Sequence, residues 1–294
     1  MENVVVTGAS GFLGSNMVEA LSEEGYRVYA LIRPGSKNSD RLVNIPNVET
    51  IEYDISDTDS KLENLIPNKC IFLFHFAWAG DFYNLEDQIK NINYTLNLVS
   101  SAKKIGCKRL IFAGSQAEYG VSDRQLNEDS MVLPIGAYGV AKVATCFCSR
   151  IKARELGIEW IWGRIFSVYG KNDLDKHLIP KLINSIKDNK VIELSSCRQM
   201  WDFLHIDDFT NAFILLARRG IDGNIYNVAD GRYRHLKDYI EVIKEYTGVD
   251  IVKYGDDPNP FVSLKPDVSK LKRDTGWEPQ INFEDGIKPF LRIR

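Results

Sequence analysis

Thr7-Gly8-Ala9-Ser10-Gly11-Phe12-Leu13-Gly14 is the stretch that decides the fold of this 294-residue chain. It follows the apolar, β-branched run Val4–Thr7, which is typical of a buried strand. Behind it, Gly14–Glu24 has helical spacing and stops at Gly25, a typical residue for a helix end. The stretch therefore stands at a strand–turn–helix junction, where a glycine-rich loop is typical of dinucleotide-binding proteins.

Each glycine of this loop has a predicted use. Gly8 permits the tight turn, Gly11 lets the backbone approach a pyrophosphate, and Gly14 lets the helix pack closely on the strand. The first N–H groups of the helix are free and carry partial positive charge, which favours phosphates. The loop thus predicts a phosphate cradle, and a purely structural glycine turn is the alternative.

Strand and helix patterns alternate through the first half of the chain. Such alternation favours an α/β fold, a Rossmann-type doubly wound parallel sheet with right-handed crossovers. The predicted strands are Arg27–Arg33, Val48–Tyr53, Lys69–Ala77, Arg109–Gly114 and Glu159–Phe166, and the predicted helices are Leu85–Lys104 and Ala137–Leu156.

The second half is less regular and predicts a smaller α/β C-terminal domain on the substrate side. We expect a dinucleotide-binding domain over residues 1–166, with residues of roughly 203–228 packing back on it, and a substrate-binding domain over 167–202 and 229–294. Its predicted elements are the helices Leu178–Asp188, Asp207–Arg218 and Leu236–Tyr246 and the strands Ile192–Leu194 and Ile225–Val228.

The composition is that of an ordinary globular protein, with 44% hydrophobic and 26% charged residues. A formal net charge of −3 gives no reason to expect nucleic acid or an anionic membrane as a partner. The five cysteines show no CxxC pair and the four histidines no metal-ligand spacing, so we expect free thiols and no bound metal. The start of the chain lacks the pattern of a signal peptide, and we expect a cytoplasmic protein.

The end of the second predicted strand bears on the choice of nicotinamide cofactor. A carboxylate there would bind the adenine ribose 2′-hydroxyl, whereas an Arg accepts a 2′-phosphate. The chain has Leu31-Ile32-Arg33-Pro34-Gly35-Ser36, without a carboxylate, and Ser36 or Lys37 could assist Arg33. We therefore favour NADP(H) over NAD(H). The alternative is that Arg33 only ends the strand in solvent and binds no phosphate.

Tyr138 and Lys142 lie four residues apart on a predicted helix and so share one face. A nearby ammonium lowers the pKa of a phenol, which lets the phenol exchange a proton with a substrate oxygen while hydride moves. The spacing alone also fits an ordinary surface pair. Ser115, at the end of the preceding strand, strengthens the catalytic interpretation because its hydroxyl can orient the same oxygen.

These motifs together resemble the extended short-chain dehydrogenase/reductase family, whose members mostly modify nucleotide sugars. Thr7–Gly14 is similar to its TGxxGFxG motif, and Ser115, Tyr138 and Lys142 match its catalytic set. The match runs through nearly the whole chain, including Arg164–Gly170 and the DFLHIDD segment at Asp202–Asp208. The resemblance implies that the cofactor is bound by Gly8, Ser10, Gly11, Phe12, Leu13, Gly14, Arg33, Asp54, Ile55, Phe76, Ala77, Ala79, Asn91, Ala113, Tyr138, Lys142 and Phe166, and the substrate by Gly80, Gln116, Ala117, Ser167, Arg198 and Trp201.

Departures from the family pattern narrow the expected chemistry. Dehydratases of the family carry an Asp-Glu pair where this chain has Gln116 and Ala117, and 4-epimerases keep a carboxylate at the position of Arg33. Ser167 replaces a family Asn, and Trp201 replaces the Arg that grips the sugar-nucleotide phosphate. Arg198, Arg232 or Lys265 could take over that contact.

The predicted function is NADPH-dependent reduction of a 4-keto-6-deoxy nucleotide sugar, with Tyr138 as general acid. An NAD-dependent nucleotide-sugar epimerase, a reductase of non-sugar carbonyls and a non-catalytic NADP-binding sensor or scaffold are the alternatives. The resemblance also implies a homodimer, in which Leu85–Lys104 and Ala137–Leu156 form a four-helix bundle with their copies.

Overall fold

The computed structural model describes residues 1–57, 61–66 and 69–291, and its centre is a parallel β-sheet. The strands are β1 (Asn3–Thr7), β2 (Arg27–Ile32), β3 (Val48–Glu52), β4 (Cys70–His75), β5 (Arg109–Ser115), β6 (Glu159–Ile165), β7 (Ser167–Tyr169), β8 (Ile192–Leu194), β9 (Met200–Trp201), β10 (Phe203–His205), β11 (Asn224–Val228), β12 (Arg234–His235) and β13 (Val252–Tyr254). The helices are α1 (Phe12–Glu23), α2 (Leu85–Lys104), α3 (Ala137–Leu156), α4 (Leu178–Lys187), α5 (Ile206–Arg219), α6 (Leu236–Thr247), α7 (Ser269–Thr275) and α8 (Phe283–Ile287).

Seven strands form the central sheet in the order β3-β2-β1-β4-β5-β6-β11, and every neighbouring pair is parallel. The winding reverses between β1 and β4, which opens a crevice at the carboxyl ends of these strands. This confirms the predicted doubly wound α/β fold. The loop Thr7–Gly14 leaves β1 at this reversal, so the cofactor motif and the crevice coincide.

The sheet is buried on both faces, which explains why its strands are nearly continuous apolar runs. Val4 and Val6 belong to a core shared with α1 and α5, whereas Val5 belongs to a core shared with α2 and α3. Alternate side chains of one strand thus enter two separate layers. The layer of α2 and α3 carries the candidate catalytic residues Tyr138 and Lys142.

The remaining elements surround a third core formed by α4, α6 and α8 together with Phe203. This part of the chain also contains three short two-stranded sheets, which pair β7 with β10, β9 with β12 and β8 with β13. The sequence predicted β8 with its observed bounds but missed its partner β13 and the two pairs β7 with β10 and β9 with β12. These strands have two or three residues each, which is too few to show a period. The division into two domains stays a prediction; β11 pairs with β6, and α5 packs on α1.

The observed bounds of the longer elements depart from the predicted ones by two residues at most. The helices α2 and α3 have the predicted bounds, and α1 begins at Phe12 rather than Gly14 because Gly11 already accepts the first helical hydrogen bond, from the Ser15 N–H. None of the five cysteines, all of which lie in the described ranges, forms a disulfide. Within the described ranges, no helix is both long and apolar enough to cross a bilayer.

Candidate active site

A cleft of about 330 Å³ lies at the carboxyl ends of β1, β2 and β4, where the sheet reverses. We call it the cofactor cleft. It brings together most of the residues predicted to bind cofactor. Those lining it are Gly8, Ser10, Gly11, Arg33, Asp54, Ile55, Phe76, Ala77 and Ala79, and they are joined by Thr7, Leu31, Ser36, Asn38, Tyr53 and Trp78.

The glycine loop has the geometry of a phosphate cradle. Gly8 has φ +65°, and a side chain there would meet the backbone nitrogen of Ala77 at 2.8 Å. A Cβ on Gly14 would collide with the carbonyl oxygen of Gly8 and lie 2.8 Å from its carbonyl carbon. Gly14 therefore packs against the loop itself rather than on the strand as predicted. Gly11 caps α1 without any side chain, and the first turn holds no carboxylate, so its N–H groups suit a pyrophosphate.

The far end of the cofactor cleft carries one cation, Arg33. Arg33 is exposed there, and the Ser10 and Ser36 hydroxyls lie 2.8 Å apart beside it. Asp54 is the one carboxylate among the described residues of this lining. Hydrogen bonds from the Ser56 backbone and hydroxyl hold the pKa of Asp54 below its usual value, and Arg33 adds to this. Arg33 and Asp54 are thus the charged side chains among the described residues of this lining.

Ser115, Tyr138 and Lys142 come together where β5 ends and α3 begins. The Ser115 hydroxyl accepts the Ala117 N–H at 3.2 Å, and it acts on the Tyr138 phenol by lowering its pKa. Burial raises the pKa of Tyr138 to about 12, against the lowering effect of the Ser115 hydroxyl. The phenol is therefore protonated at neutral pH, which is the form that can donate a proton.

Lys142 is buried, and its ammonium lies 5.6 Å from the ring centre of Tyr138. Its ammonium donates to the Ala113 carbonyl at 2.8 Å and lies 3.5 Å from the ring centre of Trp78. Burial lowers the pKa of Lys142 to about 7. The structure differs here from the expectation that Lys142 lowers the pKa of Tyr138, because the desolvation of the phenol dominates.

Two aromatic residues that the sequence left unassigned enclose Tyr138. Trp78 meets its ring edge-on with the centres 5.8 Å apart, and Phe82 lies 4.7 Å away. The Trp78 indole donates to the fully buried amide of Gln88 at 2.7 Å, which fixes its orientation. The segment His75-Phe76-Ala77-Trp78-Ala79 resembles the HxAA loop of the short-chain dehydrogenase/reductase family, with Trp78 in place of the last alanine, and that departure was the available signal.

Two further clefts contain predicted site residues, and Tyr138 lines the larger of them. The Tyr138 cleft, of about 700 Å³, contains the predicted substrate residues Gln116 and Ala117. The Trp201 cleft, of about 330 Å³, contains Trp201 and Ser167 together with the predicted cofactor residues Phe12, Leu13 and Phe166. His177 lines both clefts, so they meet at the loop before α4.

Some predicted site residues lie behind the clefts instead of lining them. Asn91 is buried and brackets Ala79, accepting its N–H and donating to its carbonyl, both at 2.9 Å. Gly80 is exposed beside Asp87, and Ala113 contributes the carbonyl that Lys142 contacts. We infer that Asn91 supports the loop over the cofactor cleft rather than touching a ligand.

The predicted replacements for the phosphate-binding Arg have other partners. Arg198 is exposed and pairs with Asp257, Arg232 pairs with Asp230, and Lys265 donates to the Asp123 carbonyl. Lys176 and His177 are instead the basic side chains on the described lining of the Tyr138 cleft. No three His, Cys, Asp or Glu side chains in the described chain are grouped as metal ligands.

A comparison with known families matches residues 4–229 to the NAD dependent epimerase/dehydratase family. The chain belongs to this family. The protein is therefore an enzyme of the extended short-chain dehydrogenase/reductase type, as the motifs predicted. The match spans the cofactor cleft and the Ser115–Tyr138–Lys142 group.

Individual relatives within this family carry several activities. The dTDP-4-dehydro-6-deoxyglucose reductase of Escherichia coli is 29% identical, with 71% of this chain and 67% of that protein covered. The trifunctional UDP-glucose 4,6-dehydratase/UDP-4-keto-6-deoxy-D-glucose 3,5-epimerase/UDP-4-keto-L-rhamnose-reductase of Arabidopsis thaliana is 28% identical over 98% of this chain, which spans 46% of that relative. The solved UDP-N-acetylglucosamine 4-epimerase of Methanobrevibacter ruminantium M1 superposes with a TM-score of 0.87, 25% identity and coverage of 99% and 98%.

Proposed function

We propose that this enzyme reduces the keto group of a 4-keto-6-deoxy nucleotide sugar with NADPH. The observation that carries the proposal is the lining of the Tyr138 cleft, whose described residues include no carboxylate beside the protonated Tyr138. Elimination of water needs a second acid–base group near the sugar, and Gln116 and Ala117 cannot exchange protons. Reduction needs one proton donor only.

The cofactor and four side chains have separate roles in the proposed reaction. NADPH, when bound in the cofactor cleft, supplies the hydride for the keto carbon. Ser115 holds the keto oxygen, and Tyr138 passes its phenolic proton to that oxygen. Trp78 and Phe82 exclude water from one side of the Tyr138 ring, which strengthens the hydrogen bonds around it.

Turnover with a panel of substrates tests this function. We expect oxidation of NADPH, followed at its absorbance, with at least one 4-keto-6-deoxysugar linked to dTDP, UDP, GDP or CDP. Each nucleotide is supplied with the same sugar, so that the base preference is measured separately from the chemistry. Absence of turnover with the whole panel would contradict the proposal.

A nucleotide-sugar epimerase is the second candidate, favoured by the likeness to the solved UDP-N-acetylglucosamine 4-epimerase over nearly the whole chain. The same Ser115–Tyr138 pair would serve there, but the cofactor would be recycled and tightly kept. Mass spectrometry of the nucleotide released from purified, denatured protein separates the two. Stoichiometric NAD would favour the epimerase, whereas loosely bound or absent NADP favours the reductase.

For the cofactor preference, we expect Arg33→Asp to reverse the choice between NADPH and NADH. A charge-assisted hydrogen bond contributes about 1.5–3 kcal/mol, so kcat/KM for NADPH should fall roughly 10- to 100-fold while that for NADH rises. The matched control is Lys37→Ala, which removes a neighbouring cation that does not line the cofactor cleft. An unchanged NADPH-to-NADH ratio in Arg33→Asp would place the 2′-phosphate elsewhere.

We also propose that two copies associate through α2 and α3. These helices pack on each other and expose the apolar side chains Leu85, Ile89, Val140, Phe147 and Ile151. A carboxylate in the centre of a dimer interface costs several kcal/mol, so Phe147→Asp should give a monomer by light scattering. Val191→Asp changes an equally exposed apolar residue outside these helices and should leave the mass unchanged. A wild-type monomer would rule out the dimer.

A further inference from the structure

We propose that Glu118 is a positioning residue for Ser115: its carboxylate fixes the turn that presents the serine hydroxyl to Tyr138 and the substrate. The inference rests on the proposed function in taking Ser115 and Tyr138 as the acting pair. Glu118 lies in a 3-10 helix of one turn, Gln116–Glu118, directly after β5. Its side chain is fully buried. No step of the proposed reaction uses this carboxylate.

Three donors converge on the Glu118 carboxylate. Oε1 accepts the backbone N–H of Ser115 at 2.8 Å and the indole N–H of Trp162 at 2.9 Å. Oε2 accepts the Nε–H of Arg164 at 2.7 Å. With its charge and its accepting positions engaged by these groups, the carboxylate has one orientation, and the Ser115 backbone is held with it.

The same turn determines what the Ser115 hydroxyl can do. The hydroxyl accepts the Ala117 N–H at 3.2 Å, which together with the Glu118 bond forms a capping box. Because one acceptor position of the oxygen is taken by the backbone, the hydroxyl proton remains available for the substrate oxygen. A shift of the turn would rotate this hydroxyl away from Tyr138, although no catalytic atom would be removed.

The surroundings of Glu118 are built for a buried charge. Arg164 is 2% exposed, and its guanidinium lies 4.6 Å from the ring centre of Tyr119, which covers it. Gly114 provides the space for this arrangement, because a Cβ there would collide with the Trp162 indole nitrogen and lie 2.8 Å from Glu118 Oε1. The negative charge also helps to raise the pKa of Tyr138, which favours the protonated phenol.

Two substitutions separate positioning of Ser115 from stabilisation by the buried ion pair. Glu118→Asp keeps a carboxylate for Arg164 but is one methylene too short to reach the Ser115 N–H as well. Glu118→Gln combined with Arg164→Gln removes both charges. The glutamine introduced at position 118 keeps an oxygen for the Ser115 N–H, and the glutamine introduced at position 164 has its amide where Arg164 has Nε. We expect kcat to fall about 100-fold in Glu118→Asp and no more than about tenfold in the double variant.

The control is Tyr119→Phe, which removes hydroxyl bonds to the Asn127 carbonyl and to Asn227 in the same buried network but leaves the capping box intact. It should lower Tm with little change in kcat. NADPH affinity should be unchanged in all three variants, since none contacts the cofactor cleft. A double variant no more active than Glu118→Asp would overturn the proposal.

Two measurements keep the test decisive. Kinetics are run with whichever nucleotide sugar the wild type converts, by reduction or by epimerisation, because both reactions use Ser115 and Tyr138. Amide hydrogen exchange at Ser115 needs no substrate, and it should be faster in Glu118→Asp than in the double variant; equal rates overturn the proposal even if the proposed function fails. Should Glu118→Asp not fold, Trp162→Phe removes one donor only and should lower kcat about threefold, whereas an unchanged kcat overturns the proposal.

Discussion

Replacing Tyr138 by Phe is expected to lower kcat/KM for sugar reduction by about 10²- to 10⁴-fold, the usual contribution of a general acid. The ring and its contacts with Trp78 and Phe82 remain, so NADPH affinity and Tm should change little. Only the phenolic hydroxyl, with its proton, is lost. Steady-state kinetics together with NADPH titration measure both parts of this expectation.

Tyr83→Phe is the matched control for that variant. Tyr83 also lines the Tyr138 cleft, but it is 94% exposed. Its variant should keep wild-type kinetics. If Tyr138→Phe also kept them, Tyr138 would not be the general acid.

Replacing Gly14 by Ala is expected to weaken NADPH binding by roughly 10- to 100-fold. The added methyl group would collide with the Gly8 carbonyl, which is backbone and cannot rotate aside. Insertion of a methyl group into tightly packed structure costs about 1–3 kcal/mol, and here the strain moves the loop that holds the pyrophosphate. Fluorescence titration with NADPH measures the loss of affinity. A thermal melt measures how far the substitution lowers the stability of the protein.

Gly136→Ala gives the comparison for this second variant. Gly136 precedes α3 with an ordinary extended backbone, and a Cβ there has no heavy atom within 4 Å. NADPH affinity should therefore be unchanged. Equal affinities for Gly14→Ala and wild type would show that the loop does not depend on close approach of α1.

Much of the fold was predictable because its signals are local. The glycine loop stands between a β-branched strand and an amphipathic helix, and α2 and α3 show their full lengths in their spacing. Strands such as β4, buried on both faces, are continuous apolar runs. The two- and three-residue strands around Trp201 escaped prediction, since their pairing depends on partners distant in sequence.

By itself the sequence determined the class of fold and predicted Ser115, Tyr138 and Lys142 as the candidate catalytic set, because a strand–turn–helix junction and i,i+4 spacing are properties of neighbours in the chain. Only the tertiary structure decided their electrostatics. It placed the Lys142 ammonium on Trp78 and the Ala113 carbonyl, and it joined Glu118 to Arg164 behind Ser115. Burial and the pairing of charges depend on residues brought together by the sheet, which no local pattern records.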